Sequence, residues 1–183
     1  MCVLFSTHFN AQVTKVTYLH PEQIKNISPD SVFYLDLSKK KLNAIPSYVY
    51  SLKNLRGLNL SRNQFTELND SIYRLKNLQE LDLGKNKFKN FPLQLCSIST
   101  LTHLSVNRND FTSFPPCLGI LKQLEVLDFW GTPISSFPEC FVELTNLKII
   151  DARSIQFNAE FQWKWQQQLP KVKIEFDAPC NCM

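Results

Sequence analysis

Six cysteines, three histidines and a recurring set of aspartates are the side chains of this sequence best able to do chemistry. Cys117 and Cys140 stand 23 positions apart, and His103 lies between Cys96 and Cys117. Nucleophilic catalysis needs a thiol or hydroxyl held beside a base. Metal binding through Cys180-Asn-Cys182 needs a second ligand pair, and a bare C-x-C supplies only one. The four glycines form no phosphate-cradling loop, and no HExxH stretch occurs. Asp36, Asp82, Asp128 and Asp151 are candidates for acid–base work if a cleft encloses them. Which of these groups can meet depends on the elements that carry them.

The elements follow from a period. Leu35, Leu58, Leu81, Leu104, Leu127 and Ile150 are each 23 positions after the last. The frame around them repeats: Leu55-Arg-Gly-Leu58-Asn-Leu60-Ser-Arg-Asn63-Gln-Phe65, then Leu78-Gln-Glu-Leu81-Asp-Leu83-Gly-Lys-Asn86-Lys-Phe88, then Leu101-Thr-His-Leu104-Ser-Val106-Asn-Arg-Asn109-Asp-Phe111. Leucines two apart point the same way while the residue between them points the other way, which is a short strand. The chain must then bend to bring Phe65, Leu68, Ile72 and Leu75 back to the same core. Asn63, Asn86 and Asn109 stand at that bend. A buried Asn both donates and accepts, so it can pair the backbone groups a bend leaves open. Lys40, Thr132 and Ile155 hold the same column in the outer units, and Ile155 ends the ladder because it cannot hydrogen-bond. Two apolar stacks complete the unit: Leu42, Phe65, Phe88, Phe111, Ile134, Phe157, and Ile45, Leu68, Phe91, Phe114, Phe137. They account for seven of the 14 phenylalanines as core, with no ligand required.

This frame resembles the leucine-rich repeat, L-x-x-L-x-L-x-x-N-x-L over roughly 20–29 residues. Phe91-Pro92, Phe114-Pro115 and Phe137-Pro138 sit where many such repeats carry Leu-Pro. The spacing and this second half look like the bacterial and Ras-group intracellular type. The resemblance implies an α/β fold: a right-handed curved solenoid with a parallel β-sheet on the concave face and short helical or irregular segments on the convex face. It covers about six repeats over 32–157. Residues 12–31 read as an N-terminal cap, with a short helix over Pro21–Ile27 and a turn at Ser28-Pro-Asp30. Residues 158–176 read as a C-terminal cap, with Asn158 capping a helix over Ala159–Gln168 and a last strand over Lys171–Phe176. Trp163 and Trp165 cannot share one helical face, so one covers the last repeat. The stretch 177–183 is a tail. Met1–Ala11 resembles the end of a secretory signal peptide cleaved after Ala11, lacking its charged start. On that reading the chain is exported, to periplasm, surface or medium; otherwise the segment is a packed N-terminus and the chain cytoplasmic. No run of 18 apolar residues occurs, so no membrane-spanning helix is expected.

The family implies protein or peptide binding by the concave wall. Adjacent strands lie about 4.8 Å apart, so outward residues form columns. One reads Tyr34, Gly57, Glu80, His103, Val126, Ile149. A second reads Asp36, Asn59, Asp82, Ser105, Asp128, Asp151. A third reads Lys39, Arg62, Lys85, Arg108, Gly131, Ser154. The acidic and basic ladders either neutralise one another or orient a polar partner. Trp130 follows Ser38, Ser61, Gly84 and Asn107 in its own column and offers an aromatic anchor. The candidate contacts are Tyr34, Arg62, Asp82, Lys85, His103, Arg108, Asp128 and Trp130. Glycan recognition, with Tyr34 and Trp130 stacking on sugar rings, is a second reading. Nucleic-acid binding is not expected, because the aspartate column would repel phosphates.

The same geometry settles the opening question. His103 belongs to the concave wall and Cys96 and Cys117 to the convex half, so no Cys–His pair forms. A flat solvated wall is also a poor place to raise the pKa of an aspartate. No catalytic residue, cofactor or metal is therefore assigned, and the chain reads as a non-enzyme. Cys117 and Cys140, equivalent positions on adjacent coils, fall within the usual Cα separation of a disulfide, about 4.4–6.8 Å. They form one if the chain is exported and remain thiols if it is not. The Cys180/Cys182 tail is read as frayed.

Overall fold

A computed structural model describes residues 17–180 of the 183-residue chain. Six three-residue strands follow the period: β1 Tyr34–Asp36, β2 Gly57–Asn59, β3 Glu80–Asp82, β4 His103–Ser105, β5 Val126–Asp128 and β6 Ile149–Asp151. They pair in parallel and in sequence order, each residue facing the one 23 positions on: Leu35 with Leu58, Leu58 with Leu81, Leu81 with Leu104, Leu104 with Leu127, Leu127 with Ile150. A one-residue slip would turn every leucine outward, so burial of one face holds the register. All six of these apolar residues are fully buried.

The return half of each coil is a single 3-10 turn, at Ser47–Ser51, Asp70–Arg74, Leu93–Ser97, Pro116–Ile120 and Glu139–Glu143. Proline precedes four of these turns, at Pro46, Pro92, Pro115 and Pro138. Its fixed φ starts the turn without needing an N–H. Asn69 replaces it once, and its side chain accepts from the Ser71 amide instead.

The asparagine column ties coil to coil. Asn86 donates to the carbonyls of Leu83, in its own coil, and Leu60, in the coil before, and accepts from the Phe65 amide. Asn109 does the same with Val106, Leu83 and Phe88, and Asn63 with Leu60, Leu37 and the amides of Lys40 and Leu42. Thr132 keeps only one such bond, from its hydroxyl to the Val106 carbonyl at 3.3 Å.

Both ends are closed. Leu19 bridges Leu35 at the β1 edge, and the one-turn helix α1, Pro21–Ile24, lies beside it in sequence. Helix α1 stops three residues short of the sequence expectation, where the Ile27 amide donates back to the Ile24 carbonyl and closes a turn. At the other end α2, Ala159–Gln168, starts where Asn158 accepts from the Phe161 amide. Strand β7, Lys173–Glu175, then adds in parallel to β6. Trp165 is buried against Phe137, while Trp163 is 64% exposed.

The cysteine pairing differs from the sequence expectation. Cys117 is bonded to Cys96, with Cα atoms 5.7 Å apart, and Cys140 is free. Side chains at equivalent positions on neighbouring coils point in parallel, so their Cβ atoms stay a full coil spacing apart. A disulfide needs Cβ atoms about 3.8 Å apart. Cys96 precedes Cys117 by 21 residues, two short of the period, and that offset lets the two side chains converge. One repeat on, Gly119 and Cys140 hold the same relation. A Cβ added to Gly119 would lie 2.8 Å from the Cβ of Cys140. Cys180 is also disulfide-bonded. Cys182 and the signal-peptide-like Met1–Ala11 lie outside the described residues.

Two outcomes follow. Replacing Asn86 with Ala strands two buried carbonyls and one amide, and should cost about 2–4 kcal/mol in urea unfolding. Thr132→Val should cost about 1 kcal/mol; equal losses would show that the additional bonds of Asn86 contribute nothing. Trypsin separates the three cysteines into peptides 90–108, 109–122 and 123–148. Mass spectrometry of the unreduced, alkylated digest should find 90–108 joined to 109–122 and alkylated 123–148. A 109–122 to 123–148 crosslink would restore the equivalent-position pairing.

Candidate functional site

Each strand ends in a sharp left-handed bend, and the bend places the basic column. Lys39, Arg62, Lys85 and Arg108 have φ of 58, 57, 56 and 49°, and Gly131 continues the series at 63°. Their amides still donate to the next coil, as from Arg62 to the Gly84 carbonyl and from Lys85 to that of Asn107. The bend therefore extends the ladder while turning long cationic side chains to the rim.

The aspartate column lies inside that rim, and here the expectation of a solvated acidic ladder fails. Asp36 is 2% exposed and Asp82 9%. Their oxygens accept from backbone rather than from the basic column: Asp36 from the Ser38 amide, Asp82 from Gly84, Asp128 from Trp130, Asp151 from Arg153. Asn59 takes the same role toward Ser61. The reason is local. The bend two residues on presents an N–H with no carbonyl partner, and a short Asx side chain reaches it. Asp128 also receives the Ser105 hydroxyl and the Asn107 amide.

Burial has an electrostatic consequence. It raises the Asp82 pKa from 3.8 to about 6, with the nearby Asp128 charge adding to the rise and the Gly84 amide opposing it. Burial likewise lifts Asp128 above the usual carboxylate range. The wall is thus a place where an aspartate pKa rises, contrary to the sequence expectation.

Above this floor is a recess of about 270 Å³ lined by Lys39, Asn59, Arg62, Asp82, Lys85 and Trp130, among others. Gly84 keeps it open. A Cβ there would lie 2.7 Å from the Asn107 Oδ1 and 3.0 Å from the Asp82 Oδ1. Trp130 closes one end, half-buried, with the Arg108 guanidinium 4.4 Å from its ring centre. The recess therefore gathers Arg62, Asp82, Lys85 and Trp130, with Arg108 stacked on the tryptophan and Asp128 beneath.

Tyr34 and His103 lie outside it, in the neighbouring column. Tyr34 packs edge-on to Tyr18, with ring centres 5.3 Å apart. The Tyr18 hydroxyl donates to Glu80 at 2.8 Å. Burial first, then the Glu80 charge, pushes its pKa far up, so it remains a donor. Gly57 makes room, since a Cβ there would lie 2.6 Å from the Tyr18 hydroxyl. Tyr18 went unseen in the sequence because it lies before the first repeat; the bare Gly57 in an otherwise occupied column was the available signal. The Nδ1 of His103 is 2.9 Å from the Thr102 hydroxyl, and burial lowers its pKa, which favours the neutral ring. Among the described residues, no group of three His, Cys, Asp or Glu side chains could hold a metal.

The sign of the Asp82 shift gives a pH prediction. Its folded pKa lies above the unfolded value, so the native state binds the proton more tightly. That contribution is full below about pH 4 and is lost as pH rises through about 6. Asp82→Asn keeps the Gly84 bond, as Asn59 does for Ser61, and removes the buried charge. Its stability advantage over the parent should grow from near zero at pH 4 to about 1–3 kcal/mol at pH 7. A pH-independent difference would mean that Asp82 is solvated.

Comparison with known proteins agrees with this architecture. A family model described as a leucine-rich repeat region matches residues 31–172. No curated protein matches the chain. Internalin C2 of Listeria monocytogenes shares the fold, with a TM-score of 0.64 at 23% identity over 84% of this chain. The chain spans 64% of the length of that structure. The strand register, the asparagine column and the matched family model together place this chain in the leucine-rich-repeat family.

Proposed function

We propose that the chain is a binding module that captures a protein or peptide on its concave wall and performs no catalysis. One observation carries the reading: Trp130, half-buried and stacked under Arg108, closes a polar recess on a wall held by coil-to-coil hydrogen bonds. A tryptophan and an arginine already held in place lose little freedom on binding, and such residues dominate interface energies. Tyr34, Arg62, Lys85 and His103 surround the anchor as further contacts. Asp82 and Asp128 act mainly from beneath, by fixing the bends that present Gly84 and Trp130. That role weakens the glycan reading, which needs their oxygens for sugar hydroxyls. The 23-residue spacing and the Phe-Pro half support the bacterial or Ras-group type of repeat. The Cys96–Cys117 bond supports an oxidising compartment, in keeping with export.

A displayed peptide library panned against the chain tests the binding site. Peptides enriched on the parent should lose at least about tenfold in affinity for Trp130→Ala and for Arg108→Ala, with both variants keeping the parental melting transition. Peptides that bind all three proteins equally would move the site off the concave wall.

A further inference from the structure

Lys39, Arg62, Lys85 and Arg108 form a row of cations at one position of four consecutive coils. Lys40, Lys122, Lys148, Arg153, Lys164 and Lys173 each sit within 4.0 Å of a carboxylate. Among the described residues, none of the four row members has an ion pair; other cations such as Lys25 and Arg74 have none either, but the row stands in register, and the aspartates beside it are turned to backbone amides. The chain carries 20 basic and 16 acidic residues, a formal charge of +4. The members also repel one another: burial and then the charges of Arg62 and Arg108 depress the Lys85 pKa. Each stands in left-handed backbone, where a residue with a Cβ is disfavoured and where Gly131 shows that glycine fits. Of the four, Arg108 has an intramolecular partner in the Trp130 ring, and the other three are held by no carboxylate among the described residues.

We propose that this row binds the acidic face of a helical segment of a protein partner. The proposal rests on the concave-wall reading above and names the chemistry of its partner. Spacing selects the helix. Four strands about 4.8 Å apart span about 14 Å. Carboxylates at i, i+3, i+7 and i+10 of a helix span about 15 Å along one face. Same-face residues of an extended peptide recur about every 6.7 Å and would span about 20 Å, which overruns the row. Single-stranded nucleic acid is the competing polyanion, and it calls for aromatic platforms between the cations. The column beside the row offers Ser38, Ser61, Gly84 and Asn107, and its one aromatic, Trp130, already has Arg108 over its ring. At the Trp130 end, the edge of the indole and the stacked guanidinium would receive an apolar residue next to the last carboxylate.

Two peptides of identical composition test this, both alanine-based and about 14 residues long. One carries glutamates at i, i+3, i+7 and i+10; the other distributes them around the helix. The same-face peptide should bind the intact chain at low salt and weaken as salt rises. The distributed peptide should bind at least about fivefold more weakly. The double variant Arg62→Gln, Lys85→Gln should lose about tenfold for the same-face peptide while melting like the parent. Absence of binding, equal binding of the two peptides, or indifference to the double variant would each overturn the proposal. Tighter binding of a 12-nucleotide oligothymidylate would overturn it in favour of nucleic acid. The two readings fail separately. If library-selected peptides depend on Trp130 but the double variant changes nothing, the acidic-helix proposal falls and the concave-wall reading stands. If neither the Trp130 nor the Arg62/Lys85 changes matter, both fall.

Discussion

A side-chain amide, repeated in three consecutive coils, holds the middle of the wall together. Each strand is only three residues long, too short to fix a sheet through its ladder alone. Asn63, Asn86 and Asn109 supply the missing connections, each joining a carbonyl of its own coil to groups of the coil before. The leucines fill the space behind the wall, but hydrophobic burial is not directional. The amides are directional, so they set how each coil sits on the last. Where the column weakens to a single hydroxyl at Thr132, aromatic packing takes over. Phe137 contacts Phe129, Phe141, Phe157, Phe161, Trp165 and Phe176 in one continuous cluster beneath the C-terminal cap.

The bend that follows each strand sorts the charges of the concave wall. It leaves an amide that an Asx side chain two residues back can reach, and that contact draws the aspartate column under the surface. It also forces the next residue into left-handed backbone and turns its side chain to the rim. One local conformation therefore buries the acids and displays the bases. The basic row therefore stands at the rim with no ion pair among the described residues, above aspartates bonded to backbone amides.

Much of this was legible from residue order. Six equivalent apolar positions and three asparagines in one column demand stacked coils, because no other arrangement buries them all at once. The Asn158 cap and the C-terminal strand were readable from local chemistry. The columns of the candidate site were readable too, since they follow from the period. Side-chain direction within a column was not. Asp82 and Trp130 both look outward in the pattern and both line the recess, yet Asp82 is buried at its floor and Trp130 is only half-buried. The difference arises from where the bend leaves an open amide.

The period by itself determined which residues become neighbours, because a coil that closes every 23 residues brings equivalent positions together whatever else the chain does. Only the folded coil decided which of those neighbours touch. Cys117 joins Cys96 rather than its equivalent Cys140, since equivalent side chains run parallel and an offset pair converges. Tyr18 crosses Gly57 to reach Glu80, a contact between a cap and the third strand that no repeat pattern encodes. Periodicity fixes position along the stack, whereas bond direction, and hence pairing and exposure, depends on backbone angles that only the complete packing sets.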